Sequence, residues 1–178
     1  MREGPATRED YEALLATLIG RTIRRVCYFE LDEGEKRPNW NRESGWYDTL
    51  DFGLTLTLDS DKELSFIWGA EFIEYEYNVS VVDGPLALDR PAVWDVTERW
   101  KELAGEIVSA TRVYWQRCHT KDGDSEYPED VRIDFTNGRS VFVSSFEMME
   151  DGKPFRGMDT ITVFFDETAW RKVTGGQD

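Results

Sequence analysis

The chain has 178 residues, 40% hydrophobic and 13% aromatic, and its 36 Asp and Glu against 21 Lys and Arg leave a net charge of −15. Such a chain can bury a full core without a metal or disulfide staple, and its longest apolar runs are far too short for a membrane span. Both halves are acidic, with 19 acids against 9 bases up to residue 89 and 17 against 12 beyond it, which argues against nucleic acid or an anionic membrane as partner.

The first ten residues, MREGPATRED, have no apolar stretch behind their charges, so no secretory leader is expected. Two cysteines, Cys27 and Cys118, cannot form a disulfide framework and suit a reducing, cytoplasmic setting. Tyr11, Leu14, Leu15 and Leu18 fall at i, i+3, i+4 and i+7, which predicts a helix over 8–19, capped by Thr7 and ended by Gly20. A strand over 22–30 follows, and then a long loop, 33–47, holding Trp40, Trp46 and Tyr47. Strands are expected at 51–58, 63–69 and 73–82. In the last, Glu74 and Glu76 alternate with Tyr75 and Tyr77, with the tyrosines taken as inward and the acids as solvated. Asp95 and Glu98 have capping-box spacing, which predicts a second helix over 96–104 with Trp100 and Leu103 facing inward. Strands at 107–116, 130–136, 140–146 and 159–165 follow, with a loop over 117–130. Asp166 then caps a third helix at 167–173.

The pattern repeats. LTLTLDSDKELSFIW (54–68) and VRIDFTNGRSVFVSS (131–145) align without gaps, 77 positions apart, so that Leu54, Leu56, Leu58, Leu64 and Phe66 meet Val131, Ile133, Phe135, Val141 and Val143. RVCY (25–28) resembles RVYW (112–115), VSVVD (79–83) resembles ITVFFD (161–166), and DVTERWK (95–101) resembles DETAWRK (166–172). The expected architecture is α+β: an internal duplication of a helix-plus-four-strand unit within a single domain, 1–178. Unit one runs from about 7 to 83, unit two from about 95 to 166, and a closing helix spans about 167–173. Antiparallel sheet carries the helices on its apolar face and leaves Thr55, Thr57, Ser65, Arg132, Asp134, Ser140 and Ser144 to water. One continuous sheet and two packed sheets both fit.

Loop parity can be read as well. A two-residue Asn137-Gly138 turn would put Val141 behind Asp134, on the wrong face. A three-residue loop with a left-handed Gly138 keeps the apolar residues together. The DSDKE turn of the first hairpin should have the same length.

Catalytic motifs are sparse. His119 is the only histidine, and Cys118 beside it on a strand would point the other way. Two cysteines and one histidine make a poor zinc set. Asp122, Asp124 and Glu126 have calcium-loop spacing, but Tyr127 stands where the loop needs Gly. No catalytic, metal or cofactor residue is assigned. The reading that fits is a non-enzymatic, acidic protein-binding module of the immunity or inhibitor type, which neutralises a basic protein. Its contact residues would be Trp40, Trp46, Tyr47, Glu71, Glu74 and Glu76. Two alternatives stay open: a carboxylate-based enzyme or small-ligand binder, for carbohydrate as an example, with a cleft between the repeats, and a structural homo-oligomer joined through sheet edges.

Overall fold

The first helix, α1 (Arg8–Ala16), begins where the sequence places it: the Thr7 side chain accepts from Asp10 N and donates to Asp10 Oδ2. It ends three residues early, and a turn carries Leu18 inward to Gly20, which has a φ of 79°. The computed structural model describes residues 4–5, 7–32, 34, 46–70, 72, 77–120, 123–149 and 153–175.

Twelve strands follow among the described residues: β1 (Ile23–Glu30), β2 (Tyr47–Leu50), β3 (Gly53–Leu58), β4 (Glu63–Gly69), β5 (Asn78–Asp83), β6 (Ala92–Asp95), β7 (Val108–Thr120), β8 (Gly123–Phe135), β9 (Ser140–Ser144), β10 (Phe146–Met148), β11 (Pro154–Arg156) and β12 (Ile161–Phe164). A second helix, α2 (Glu167–Thr174), closes them. The protein is α+β, with antiparallel pairing throughout.

Two five-stranded sheets form, in the orders β5-β4-β3-β1-β6 and β2-β12-β9-β8-β7, with β10-β11 as a separate pair. Alternation decides their inner faces. Val26, Tyr28, Leu54, Leu56, Leu64 and Phe66 of the first share one buried cluster with Val131, Ile133, Val141, Val143 and Val163 of the second. Tyr11, Leu15 and Leu18 bring α1 into the same cluster, and the Tyr11 hydroxyl donates to the Val79 carbonyl at 2.5 Å.

The two halves share strand order and register. The meander β1-β3-β4-β5 runs as β7-β8-β9-β12 does. Leu54 pairs with Phe66 and Leu56 with Leu64, while Val131 pairs with Val143 and Ile133 with Val141. The turns match too. Leu58 N donates to Lys62 O and Asp61 N to Leu58 O, as Phe135 N does to Arg139 O and Gly138 N to Phe135 O. Both are three-residue loops with a left-handed third residue, Asp61 at φ 61° and Gly138 at φ 80°. The likeness of RVCY to RVYW is two residues out of register, since Tyr28 opposes Leu54 and Val113 opposes Val131.

Several expectations change. The helix expected over 96–104 is a single 3-10 turn, Thr97–Trp100. Asp95 is not its N-cap: it ends β6, and its carboxylate accepts from the Thr97 backbone and hydroxyl and from Arg25 of β1. So there are two α-helices among the described residues, not three. Trp100 and Trp170 also differ in placement despite similar sequence, the first in the inner cluster and the second in an outer one.

The outer face of the second sheet is not wet. Phe142, Phe146, Phe164 and Tyr114 lie there, and α2 covers them with Ala169 and Trp170. The Trp170 ring stacks on Phe142 at 4.4 Å and 12°. Arg132 lies half-buried there, its guanidinium over Phe142 and paired with Asp134 and Glu167. On the first sheet, the outward Cys27, Thr55, Ser65 and Val82 are buried as well. Residues 84–91 must run from the β5 edge to the β6 edge, and Ser65 Oγ donates to Gly84 O at their start. The described residues of the segment expected as a loop, 117–120 and 123–130, are the outer half of the long β7–β8 ribbon instead, with Pro128 beside a register shift, where a missing N–H is tolerated.

Candidate functional site

The end of the segment expected as an aromatic loop supplies the site. Its last residue, Tyr47, opens β2, which adds to the edge of the second sheet, pairing Tyr47 with Phe164 and Leu50 with Ile161. Alternation then sends Tyr47 outward, its ring 5.5 Å from Phe164, and Asp48 inward to full burial. Trp46 precedes the strand. Its carbonyl accepts from Phe165 N at 3.3 Å, Lys172 Nζ lies 5.5 Å from its ring centroid, and it is 52% exposed.

Beneath this edge lies a buried polar network. The Asp48 carboxylate accepts from Tyr28 OH at 2.9 Å and from Arg99 Nε and Nη2 at 3.2 and 3.1 Å. Trp100 Nε1 donates to the Tyr28 oxygen at 2.9 Å. Burial pushes the Asp48 carboxyl above the ordinary carboxylate value, opposed by the Arg99 hydrogen bond and charge and by the Tyr28 hydrogen bond. Burial pushes the Tyr28 phenol up further. Asp48 is fully enclosed, so it positions elements and meets no substrate. The Arg99 guanidinium also lies 4.8 Å from the Phe165 ring, which packs edge-on against Trp100. Arg99, Trp100, Lys101, Glu102, Leu103, Arg139 and Phe165 line a cleft of about 270 Å³.

The structure brings together Trp46 and Tyr47 of the six expected contact residues. Trp40, Glu71, Glu74 and Glu76 lie outside the described residues, as does Tyr75. Tyr77 is not core: it is 38% exposed, against Trp68 at 4.9 Å. Arg99, Asp48 and Phe165 were missed by sequence reasoning. Arg99 sits beside Trp100, which was taken as core, and that was the available signal.

Other candidates disperse. His119 and Asp124 pair at 2.6 Å on the exposed outer ribbon, while half-buried Cys118 opposes Ser125. Asp124 and Glu126 lie two apart on one face of an extended strand, where Asp124 pairs with His119 and Glu126 with Arg8 and Arg117, so they belong to no ion-binding loop; Asp122 lies outside the described residues. Among the described residues no group of three or more His, Cys, Asp or Glu is placed to hold a metal, and no helix is long and apolar enough to cross a membrane. The long edge strand β7 carries exposed Arg112 and Arg117 and two register shifts, features that discourage pairing with another sheet.

A second buried acid sits across the second sheet. Asp130 Oδ2 and Glu129 Oε2 both take Arg156 Nη1, at 3.2 and 3.0 Å, while Arg156 Nη2 donates to the Thr174 carbonyl at the end of α2. Burial raises the Asp130 pKa, against the pull of Arg156, Ser144 and Trp170. Comparison with protein-family models, curated proteins and solved structures finds no match to this chain.

Proposed function

We propose that the protein is an acidic, non-catalytic binding module that docks or neutralises a basic protein, with Trp46 and Tyr47 in its contact surface. Trp46 carries the reading. It is a large ring, more than half exposed, yet held beside an edge strand by a backbone hydrogen bond and a lysine cation. An aromatic fixed before contact loses little conformational freedom on binding, and such rings dominate interface energies.

Charge supports the same reading. Arg8, Arg24, Arg25, Lys62, Lys101, Arg117, Arg139 and Arg171 are engaged in surface ion pairs. The excess of acids therefore sets the long-range field. Trp40, Glu71, Glu74 and Glu76 belong to the proposed surface on the sequence alone, and a cytoplasmic location remains part of the proposal.

The test measures association with basic proteins encoded by neighbouring genes across a rising salt series. The on-rate should fall steeply while the off-rate stays nearly constant, because salt screens exposed charges over about 8–10 Å. Trp46→Ala should raise the off-rate and leave the melting temperature unchanged. Salt-independent rates, or no binding to any such protein, would remove the reading.

We also infer one domain built by internal duplication, with units near 7–83 and 95–166. The shared strand order, hairpin register and turn geometry support it. Each unit alone leaves its apolar face bare, so a fragment spanning residues 1–90 should show no cooperative unfolding. A sharp transition would count against the shared core.

A further inference from the structure

The geometry points to the cleft between the 3-10 turn and Phe165 as a binding site for a small carboxylate with an apolar body. On a chain of net charge −15, its lining carries three cations, Arg99, Lys101 and Arg139, against one acid, Glu102. Its remaining walls are Trp100, Leu103 and Phe165. Each of these cations faces one acid, Arg99 facing Asp48, Lys101 facing Glu98 and Arg139 facing Glu102, so the cleft is close to neutral and an anion meets less repulsion there than over the rest of an acidic surface.

The cations differ in how they are held. Arg99 is fixed: Asp48, fully buried, grips it with two hydrogen bonds, and Phe165 stacks beneath it. It therefore presents a preorganised plane and charge at the cleft wall without losing rotamer freedom on binding. Lys101 and Arg139 are adjustable. Their pairs with Glu98 and Glu102 are exposed on both sides, and exposed pairs are weak and screened. An incoming carboxylate competes for both cations at little loss.

Size and polarity select the ligand. A cleft of about 270 Å³ lies just under the usual range for small-molecule sites, roughly 300–1,000 Å³. One ring or short aliphatic body fits, with one anionic group at the rim. A bare inorganic anion would leave Leu103 and Phe165 unused. Trp100 makes the floor spectroscopically visible. This site does not depend on the protein-binding reading.

Isothermal titration and tryptophan fluorescence of the full chain test it, with benzoate as probe. Benzyl alcohol is the neutral isostere, and inorganic phosphate is the anion without an apolar body. Benzoate should bind saturably at one site, about tenfold or more tighter than either control. The double variant Lys101→Gln, Arg139→Gln should weaken benzoate several-fold while its own melting temperature stays at the wild-type value. Equal binding of benzyl alcohol would show that the cations do nothing, and equal binding of phosphate would show that the apolar walls do nothing. Either result overturns the proposal, as does undiminished benzoate binding in a folded double variant.

Discussion

The Tyr28 hydroxyl donates a 2.9 Å hydrogen bond to the Asp48 carboxylate, and this bond ties a central strand of one sheet to the edge strand of the other. Arg99 and Trp100 close the network from the 3-10 turn. Four residues from three parts of the chain thus satisfy one another in the core, where an unsatisfied polar group would be costly.

Removing members of this network should have unequal effects. Asp48→Ala leaves Arg99 without its buried counter-ion and should cost about 3–5 kcal/mol, as breaking a buried pair does. Tyr28→Phe keeps the packing but strips a donor from Asp48 and an acceptor from Trp100, so about 1–3 kcal/mol is expected. Urea denaturation of both variants decides; equal losses would mean that packing, not the ion pair, dominates.

Stability should rise on mild acidification. Burial raises the carboxyls of Asp48 and Asp130 above the ordinary aspartate value of 3.8. A carboxyl whose folded pKa is raised favours the folded state when protonated. That contribution is complete below the unfolded value and is lost as pH rises through the folded one. Asp95 and Glu126 are lowered by their hydrogen bonds and act oppositely, but both are exposed and screened. Melting temperature should therefore increase as pH falls through the raised folded values toward 3.8, and Asp130→Asn should flatten the slope. An unchanged slope in that variant would assign the effect to net charge alone.

The two matched turns predict opposite responses to one exchange. Asp61 holds a left-handed φ of 61° where Gly138 holds 80°, and a non-glycine residue there is strained by about 1 kcal/mol. Asp61→Gly should be neutral or stabilising by up to about 1 kcal/mol, net of its exposed pair with Arg24. Gly138→Asp should destabilise by a similar amount. Gly53→Ala should be worse than either, because at φ 152° its new Cβ would fall on the Phe66 carbonyl oxygen. Thermal melts of the three variants rank them.

The covered outer face gives a fourth test. Trp170→Ala removes a fully buried ring stacked on Phe142 and should cost about 3–5 kcal/mol. Arg132→Ala should also destabilise measurably, because its guanidinium bridges Asp134 and Glu167 over that face. Arg24→Ala, an exposed pair member, serves as the control and should change stability by less than about 0.5 kcal/mol. Chemical denaturation checks all three.

Residues with strong local constraints were legible in sequence. Period two placed Leu54, Leu56, Ile133 and Val141 on the inner faces, since a one-residue slip would turn every side chain outward. Parity then required an odd loop at Gly138. Thr7 and Asp166 announced the two α-helices because a cap needs only its own first turn. Trp46 and Tyr47 stood out by size, but their neighbours in the site did not. Arg99 and Phe165 become partners only when β2 joins β12, a contact between residues more than a hundred positions apart.

Tertiary structure decided everything that depended on which surfaces met. Phe142 sits between two inward valines and was overlooked among outward serines; only the docking of α2 makes it core. Asp95 has the spacing of a helix cap, yet pairing with β1 holds it in a strand, its carboxylate is divided between Arg25 and Thr97, and only a single 3-10 turn follows. Asp48 looks like a loop acid until Arg99 and Tyr28 arrive to neutralise it. Sequence alone determined the two central hairpins, the inward faces of their strands, their three-residue turns and the overall acidity, because those follow from neighbours within a few residues and from a sum over the chain. The addition of β2 to the second sheet, the covered outer faces and the cleft followed only from tertiary packing, because long-range contacts set the free energy of a buried charge or an exposed ring.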